Sequence, residues 1–231
     1  MTSVLITGTN RGLGFEFARQ YAAGGVRVFA ACRNPAAADA LWQLEQTTEG
    51  RLSVIAMDVT DAKSVGNAAA QLKDLAIDVL INAAGIAGTS GQTTGNVDYK
   101  AWAEVLEVNT MGPLRVLESF IEHIARSERR LVVTITSGMG SLTDNKSGGS
   151  IAYRSSKAAV NMVMRSAAID LAPRGISCVL VHPGWVRTDM GGPKAPMSPQ
   201  ESVTAMRQLI DTFGPKHSGN FYNYDGREYP W

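Results

Sequence analysis

The chain's 231 residues suffice for one large domain, and 45% hydrophobic with 19% charged residues is the balance of a globular protein with a sizeable core. A formal charge of +1 excludes an electrostatic case for nucleic acid. No polybasic tract suggests a membrane surface, and no apolar run approaches the length of a membrane span.

Cys32 and Cys178 lie in apolar, strand-like runs without a partner nearby in sequence. Reduced, buried thiols are the expectation, although the spacing also permits a bridge. With no basic leader ahead of Val4-Leu5-Ile6-Thr7-Gly8, the expected location is cytoplasmic.

Taken in order, short β-branched runs alternate with helical stretches. Strands are expected at 3–7, 26–31, 53–57, 78–82, 131–136 and 176–181, with a last short one at 219–224. Helices are expected at 15–23, 36–47, 61–75, 98–126, 153–172 and from the Ser198-Pro199-Gln200-Glu201 capping box to about Phe213. Near-continuous apolar strands alternating with helices predict an α/β fold with a parallel sheet covered on both faces. No repeat or linker divides the chain, so residues 1–231 are expected to form one domain. The apolar ending Tyr229-Pro230-Trp231 predicts a docked tail.

The first strand runs into Thr7-Gly8-Thr9-Asn10-Arg11-Gly12-Leu13-Gly14 and then a helix. Glycines at 8, 12 and 14 permit a tight turn and close backbone approach, and the helix N-terminus offers free N–H groups to a pyrophosphate. The spacing is G-x-x-x-G-x-G rather than the usual G-x-G-x-x-G, so a plain glycine-rich turn is the alternative. At the end of the second strand, where NAD-binding folds place a carboxylate for the ribose 2′-hydroxyl, the sequence has Cys32-Arg33-Asn34. Arg33, aided by Arg11, suits a 2′-phosphate, which points to NADP(H) over NAD(H).

Asp58, followed by Val59, stands where a side chain meets the adenine or else caps a helix, as Asp61 is expected to do. Asn82-Ala83-Ala84-Gly85 ends the fourth strand, with small residues for close cofactor passage and Asn82 as a brace. In the long helix from Asp98, Pro113 deprives the Asn109 carbonyl of its helix partner and predicts a kink. Ser137 sits at a strand C-terminus, where open α/β sheets bind ligands. No Gly-x-Ser-x-Gly elbow is present, and His123, His182 and His217 form no metal-ligand pattern. His182 reads as a packed strand-end residue. After it, Pro183-Gly184 breaks the strand and brings Thr188 toward a carboxamide or phosphate. Trp185, Met190 and Met197 are expected to wall an apolar pocket within a lid rich in glycine and proline.

Tyr153 and Lys157 are one helical turn apart and share a face. A positive charge roughly 5 Å from a phenol, at an effective dielectric of about 20, favours phenolate by about 3 kcal/mol. The expectation is therefore a tyrosine whose pKa is lowered toward the working range by Lys157. One Tyr-x-x-x-Lys is weak alone.

Together, Thr7-Gly8-x-x-x-Gly12-x-Gly14, Asn82-Ala-Ala-Gly85, Asn109, Ser137, Tyr153-x-x-x-Lys157 and Pro183-Gly184 resemble the short-chain dehydrogenase/reductase family, in order and approximate spacing over the whole chain. Ser147-Gly148-Gly149 and the Asp225-Gly226 to Trp231 ending are similar to its carbonyl-reductase-like and C-factor-like branch; Ala83 departs from the second Asn of many members. The resemblance implies a Rossmann-type doubly wound sheet of about seven strands. It implies a site of Asn109, Ser137, Tyr153 and Lys157: Tyr153 as acid/base, Ser137 on the substrate oxygen, Lys157 on the nicotinamide ribose, and Asn109 holding a relay water. It also implies dinucleotide contacts from Asn10 and Leu13 in the loop, and from Val59, Val186 and Thr188. The implied activity is NADP(H)-dependent reduction of a carbonyl compound or oxidation of the matching alcohol, in a possible homodimer or homotetramer. The branch leaves a second reading, a cofactor-binding signalling module acting through a partner without turnover.

Overall fold

A computed structural model describes residues 2–231. Seven strands form one sheet: β1 (Ser3–Thr7), β2 (Arg27–Cys32), β3 (Leu52–Ala56), β4 (Val79–Asn82), β5 (Leu131–Ile135), β6 (Ser177–His182) and β7 (Phe221–Asn223). They lie in the order β3-β2-β1-β4-β5-β6-β7, all parallel. After β3 the chain crosses back to lay β4 on the other side of β1. The crevice above β1 and β4 is the switch point at which such sheets bind ligands.

The strand period of two explains the two cores. Leu5 points to one face with Phe29, Leu80, Val132 and Leu180, and buries Phe120 and Met164 there. Its neighbours Val4 and Ile6 point to the other, with Val28, Val79 and Val181, against Phe17, Val203 and Met206. Strands buried on both faces need apolar residues at every position, which is why these runs do not alternate with polar ones. Each large side chain so buried contributes on the order of 2 kcal/mol.

The helices are α1 (Gly12–Ala23), α2 (Asp39–Gln46), α3 (Ala62–Gln71), α4 (Tyr99–Leu106), α5 (Gly112–Ala125), α6 (Ile151–Leu171) and α7 (Pro199–Thr212). Helix α1 starts three residues earlier than its apolar periodicity suggests, because the glycines enter its first turn: a Cβ at Gly14 would stand 2.2 Å from the Gly8 carbonyl oxygen. The expected 36–47 helix is broken at buried Ala38, leaving a 3-10 turn at Pro35–Ala37 before α2. Ser198 and Glu201 form the reciprocal capping box with Pro199 in the first turn of α7.

At Pro113 the long helix does more than kink. Residues Glu107–Met111 widen into a π turn, with the Gly112 N–H reaching five residues back to the Glu107 carbonyl. The missing proline N–H removes one rung, and the wider turn re-pairs the carbonyls around it. The tail is docked: the Tyr229 N–H donates to the Phe221 carbonyl (2.7 Å) and the Trp231 ring packs on Phe221. Both cysteines are buried and free. Among the described residues no helix is long and apolar enough to cross a membrane.

Two glycines test this packing in opposite directions. Gly14→Ala drives a Cβ into the Gly8 carbonyl and is expected to cost about 2 kcal/mol or more of unfolding free energy. Gly66 lies on the exposed face of α3 with no atom within 4 Å of an added Cβ, so Gly66→Ala should stabilise by about 0.5–1 kcal/mol. Urea denaturation of the two variants reads both values.

Candidate active site

At the carboxyl ends of β1, β4 and β5 a cleft of about 380 Å³ runs across the switch point, a size suited to a small-molecule site. Gly8, Asn10, Arg11, Gly12, Leu13 and Gly14 form one end, with Arg33, Asp58 and Val59 beside them. Ala83, Ala84 and Gly85 lie along the floor. Ser137, Tyr153 and Lys157 stand at the other end, and Pro183, Gly184, Val186 and Thr188 make the far wall. Residues spread over 180 positions of sequence thus meet around one groove because parallel strands all end at the same sheet edge.

The glycine end is built for close approach. Gly8 has φ +71°, and a Cβ there would stand 2.7 Å from the Ala84 Cα, so only glycine lets β1 and β4 meet at this point. A Cβ at Gly12 would meet only Thr188, at 3.7 Å, leaving open ground above the first turn of α1. The N–H groups of that turn face the cleft with the positive end of the helix dipole, a combination that suits a phosphate.

Arg33 is exposed at the end of β2, lines the cleft and takes part in no ion pair among the described residues. Arg11 does not stand free beside it: its guanidinium pairs with Asp189 across the cleft at 2.7 Å. With both partners largely exposed, that pair is weak and open to exchange for a stronger anion. The Asp58 carboxylate accepts from the N–H and hydroxyl of Thr60 (2.9 and 2.7 Å) and still lines the groove. Asp61 is the cap of α3, accepting from the Lys63 N–H.

The Asn82 side chain does not reach the cleft. Its side chain is 2% exposed and faces the Pro113 carbonyl and Thr134 hydroxyl, each at 3.4 Å, beneath the cleft rather than in it. The strand end is braced by Thr7, whose hydroxyl accepts from the N–H groups of Ala83 and Ala84, both at 3.1 Å. That role becomes visible only once β1 and β4 are known to be neighbours.

Asn109 also stands behind the cleft wall, fully buried. Its carboxamide clamps Ile86, accepting from the N–H (2.9 Å) and donating to the carbonyl (2.8 Å), and donates its second hydrogen to Ser156 Oγ (3.0 Å). Ser156 in turn donates to the Tyr153 carbonyl (2.8 Å), and the Trp102 indole donates to Ser155 Oγ (2.8 Å). The widened turn and α4 therefore grip the first turn of α6 from the side.

Lys157 and Tyr153 share a face as the spacing predicts, with the ammonium 5.8 Å from the phenol ring centroid. Their electrostatics differ from the expectation. Lys157 is 5% exposed and donates to the Ile135 carbonyl (3.0 Å); burial pulls its pKa down to about 8. Burial likewise pushes the Tyr153 phenol above its ordinary value, and the Ser137 hydroxyl is the neighbour that draws it back. Desolvation of both charged forms outweighs their mutual help, so at neutral pH the tyrosine is a protonated acid.

Beside these polar groups the cleft also has an apolar stretch of wall. Ile86, Val108, Ile135, Met139, Trp185 and Met190 line it, whereas Met197 packs beneath Gly184 instead of joining the wall. The segment expected as a lid is cross-braced. The Trp185 indole donates to the Gly191 carbonyl (2.8 Å), and Arg187 donates to the carbonyls of Ala195 and Pro196 (2.9 and 2.6 Å). His182 is partly buried with its pKa depressed to about 4, a neutral packing residue as expected.

The sequence model of the short chain dehydrogenase family matches residues 2–198, and the chain belongs to that family of oxidoreductases. Over 155 residues it is 48% identical to C-signal of Myxococcus xanthus, covering 67% of this chain and 93% of that protein. Among solved structures, the carbonyl reductase Sniffer of D. melanogaster superposes with a TM-score of 0.93 at 33% identity, over 100% of both chains. NADPH-bound carbonyl reductase from chicken fatty liver gives a TM-score of 0.93 at 34% identity, over 100% of this chain and 99% of that one.

The Lys157 environment makes a measurable prediction. Its folded pKa of about 8 lies below the ordinary 10.5, so the folded state holds the proton less tightly than the unfolded one. Below pH 8 the buried ammonium costs roughly 3 kcal/mol, and this cost is relieved as pH rises through the window between the two values. Titration of ¹³C-labelled lysine side chains should show one resonance with a midpoint near 8 that is missing in Lys157→Met. A protein in which every lysine titrates near 10.5 contradicts it.

Proposed function

We propose that the chain is an NADP(H)-dependent carbonyl reductase that also runs the reverse alcohol oxidation, with Tyr153 as the acid/base. The observation that carries this reading is the meeting of Ser137, Tyr153 and Lys157 in one cleft with the glycine loop of residues 8–14. The glycine loop of residues 8–14 would hold the diphosphate, and Arg33 the 2′-phosphate, with Arg11 released from Asp189 to assist. Asp58 and Val59 would flank the adenine. Lys157 and Tyr153 would hold the nicotinamide ribose, and the Pro183–Thr188 wall the carboxamide. The NADPH in the chicken liver reductase supports the cofactor choice, as does a β2 end that offers an arginine and no carboxylate.

The bound nicotinamide supplies or accepts the hydride. The protein does the rest. Ser137 donates a hydrogen bond to the substrate oxygen and steadies the charge that builds there. Tyr153, kept protonated by burial, delivers its proton to that oxygen, and the Lys157 ammonium stabilises the phenolate left behind. The relay through Asn109 has its carboxamide already committed to Ile86 and Ser156. On this reading the relay water would be held by the Asn109 backbone carbonyl, whose usual helical donor Pro113 lacks, and the carboxamide would only position it. The uncharged inner lining of Ile86, Met139, Trp185 and Met190 favours ketones and aldehydes with apolar substituents. Likeness to C-signal supplies the signalling alternative by name; a complete and buried set of site residues favours turnover. Tyr99, Met111, Met162 and Ile169 expose large apolar side chains along α4 to α6, which supports self-association.

Tyr153→Phe should abolish NADPH-dependent turnover of a carbonyl panel while weakening NADPH binding by no more than about tenfold, the loss of one ribose hydrogen bond; retained turnover would exclude Tyr153 as the acid. Because the phenol's pKa is raised, wild-type reduction is expected to hold through neutral pH and fall only in alkali, as the acid form is lost, with oxidation rising over the same range. Arg33→Ala should weaken NADPH binding by about tenfold and NADH by much less, measured by fluorescence titration. Equal losses for both would assign the arginine elsewhere.

A further inference from the structure

Residues after 198 lie outside the stretch that matches the family model, yet they reach back to the turn that carries Ser137. After β7 the chain reverses. The Gly226 N–H donates to the Asn223 carbonyl (2.9 Å) and the Asn223 N–H to the Arg227 carbonyl (2.8 Å), while Arg227 pairs with Asp225 at 2.7 Å. This return delivers Tyr229 onto Phe221 (ring centroids 5.0 Å apart) and edge-on to His182 (5.2 Å).

The Tyr229 hydroxyl ends beside the residue next to Ser137. A Cβ at Gly138 would stand 2.5 Å from that hydroxyl and 3.2 Å from His182 Nε2. Two residues on, a Cβ at Gly140 would stand 2.8 Å from the Lys157 carbonyl carbon. The short 3-10 turn Gly138–Gly140 that follows Ser137 is thus packed by the tail at its first residue and by α6 at its last. The Tyr229 hydroxyl also donates to Asp144 Oδ2 (2.8 Å), and the Trp231 carbonyl accepts from the Thr143 N–H (2.8 Å), tying the same loop to the tail.

We propose that Tyr229 is a positioning residue for Ser137: seated against Gly138 and tethered to Asp144, it fixes the direction of the serine hydroxyl. This rests on the reading of Ser137 given above. Tyr229 and Asp144 do not line the cleft, so the role proposed for them is exerted through Gly138 and the loop after Ser137. Tyr229→Phe keeps the ring on Phe221 and His182 and removes only the tether. Asp144→Ala removes it from the other side.

The test is a double-mutant cycle on the full chain, with NADPH and one carbonyl substrate. Each of Tyr229→Phe and Asp144→Ala should lower kcat by roughly fivefold, the two together no more than either alone, with the NADPH dissociation constant within about twofold of wild type. In a Ser137→Ala background Tyr229→Phe should change kcat no further, because the group it steers is gone. A wild-type kcat in Tyr229→Phe, a matching loss of NADPH affinity, or the same fold-loss in both backgrounds would overturn the proposal alone. Undiminished turnover in Ser137→Ala would overturn the assignment of Ser137 and this inference with it.

Discussion

The site depends on the burial of two ionisable groups in the first turns of α6. Lys157 is almost wholly out of water, with one carbonyl for a partner, and the Tyr153 phenol is pushed toward its neutral form by the same desolvation. Such an arrangement persists only if the turn that carries them cannot relax toward solvent. Ser155 and Ser156 supply that restraint, the first gripped by the Trp102 indole and the second by the Asn109 carboxamide. Asn109 in turn holds both polar groups of the Ile86 backbone, so β4's exit, the widened turn and α6 form one hydrogen-bonded unit. Removing any member leaves a buried donor or acceptor unpaired, which costs more than the bond itself contributes.

The same unit shows why Pro113 sits where it does. A regular helix would keep Asn109 in register with its own backbone. The π turn widens the helix there while the carboxamide spans to Ile86 and Ser156. Irregular backbone of this kind is common beside functional sites, where a side chain must reach across to another element. The glycines do the complementary work at the other end of the cleft, letting β1, β4 and α1 approach more closely than any side chain would allow.

The lining of the groove is also mixed in chemistry. Charged groups gather around the glycine loop, where Arg11, Arg33, Asp58 and Asp189 face the opening. The inner half is walled by methionine, isoleucine and tryptophan, with Lys157 reaching it from behind. On the proposed reading, that polarity would order a charged dinucleotide along the groove and leave an apolar space beside the nicotinamide. One limit of that space is built late in the chain, by the cross-braced stretch after β6.

Much of this was legible from residues alone. Apolar strands alternating with helices required a parallel sheet covered on both faces, because runs such as Val4 to Ile6 have no polar side to turn to water. The Gly8–Gly14 loop, Ser137 and the Tyr153–Lys157 pair stood out as candidates since local spacing sets what a turn or a helix face can present, and the fold brings them to one cleft. Other features were set only by tertiary contact. The Thr7 hydroxyl braces the end of β4, and Arg11 pairs with Asp189 rather than standing free; neither follows from spacing, as the partners come from distant segments. The direction of the Tyr153 shift was likewise undetermined in sequence. A neighbouring lysine favours phenolate through charge, but burial opposes it, and burial is a property of the packed fold.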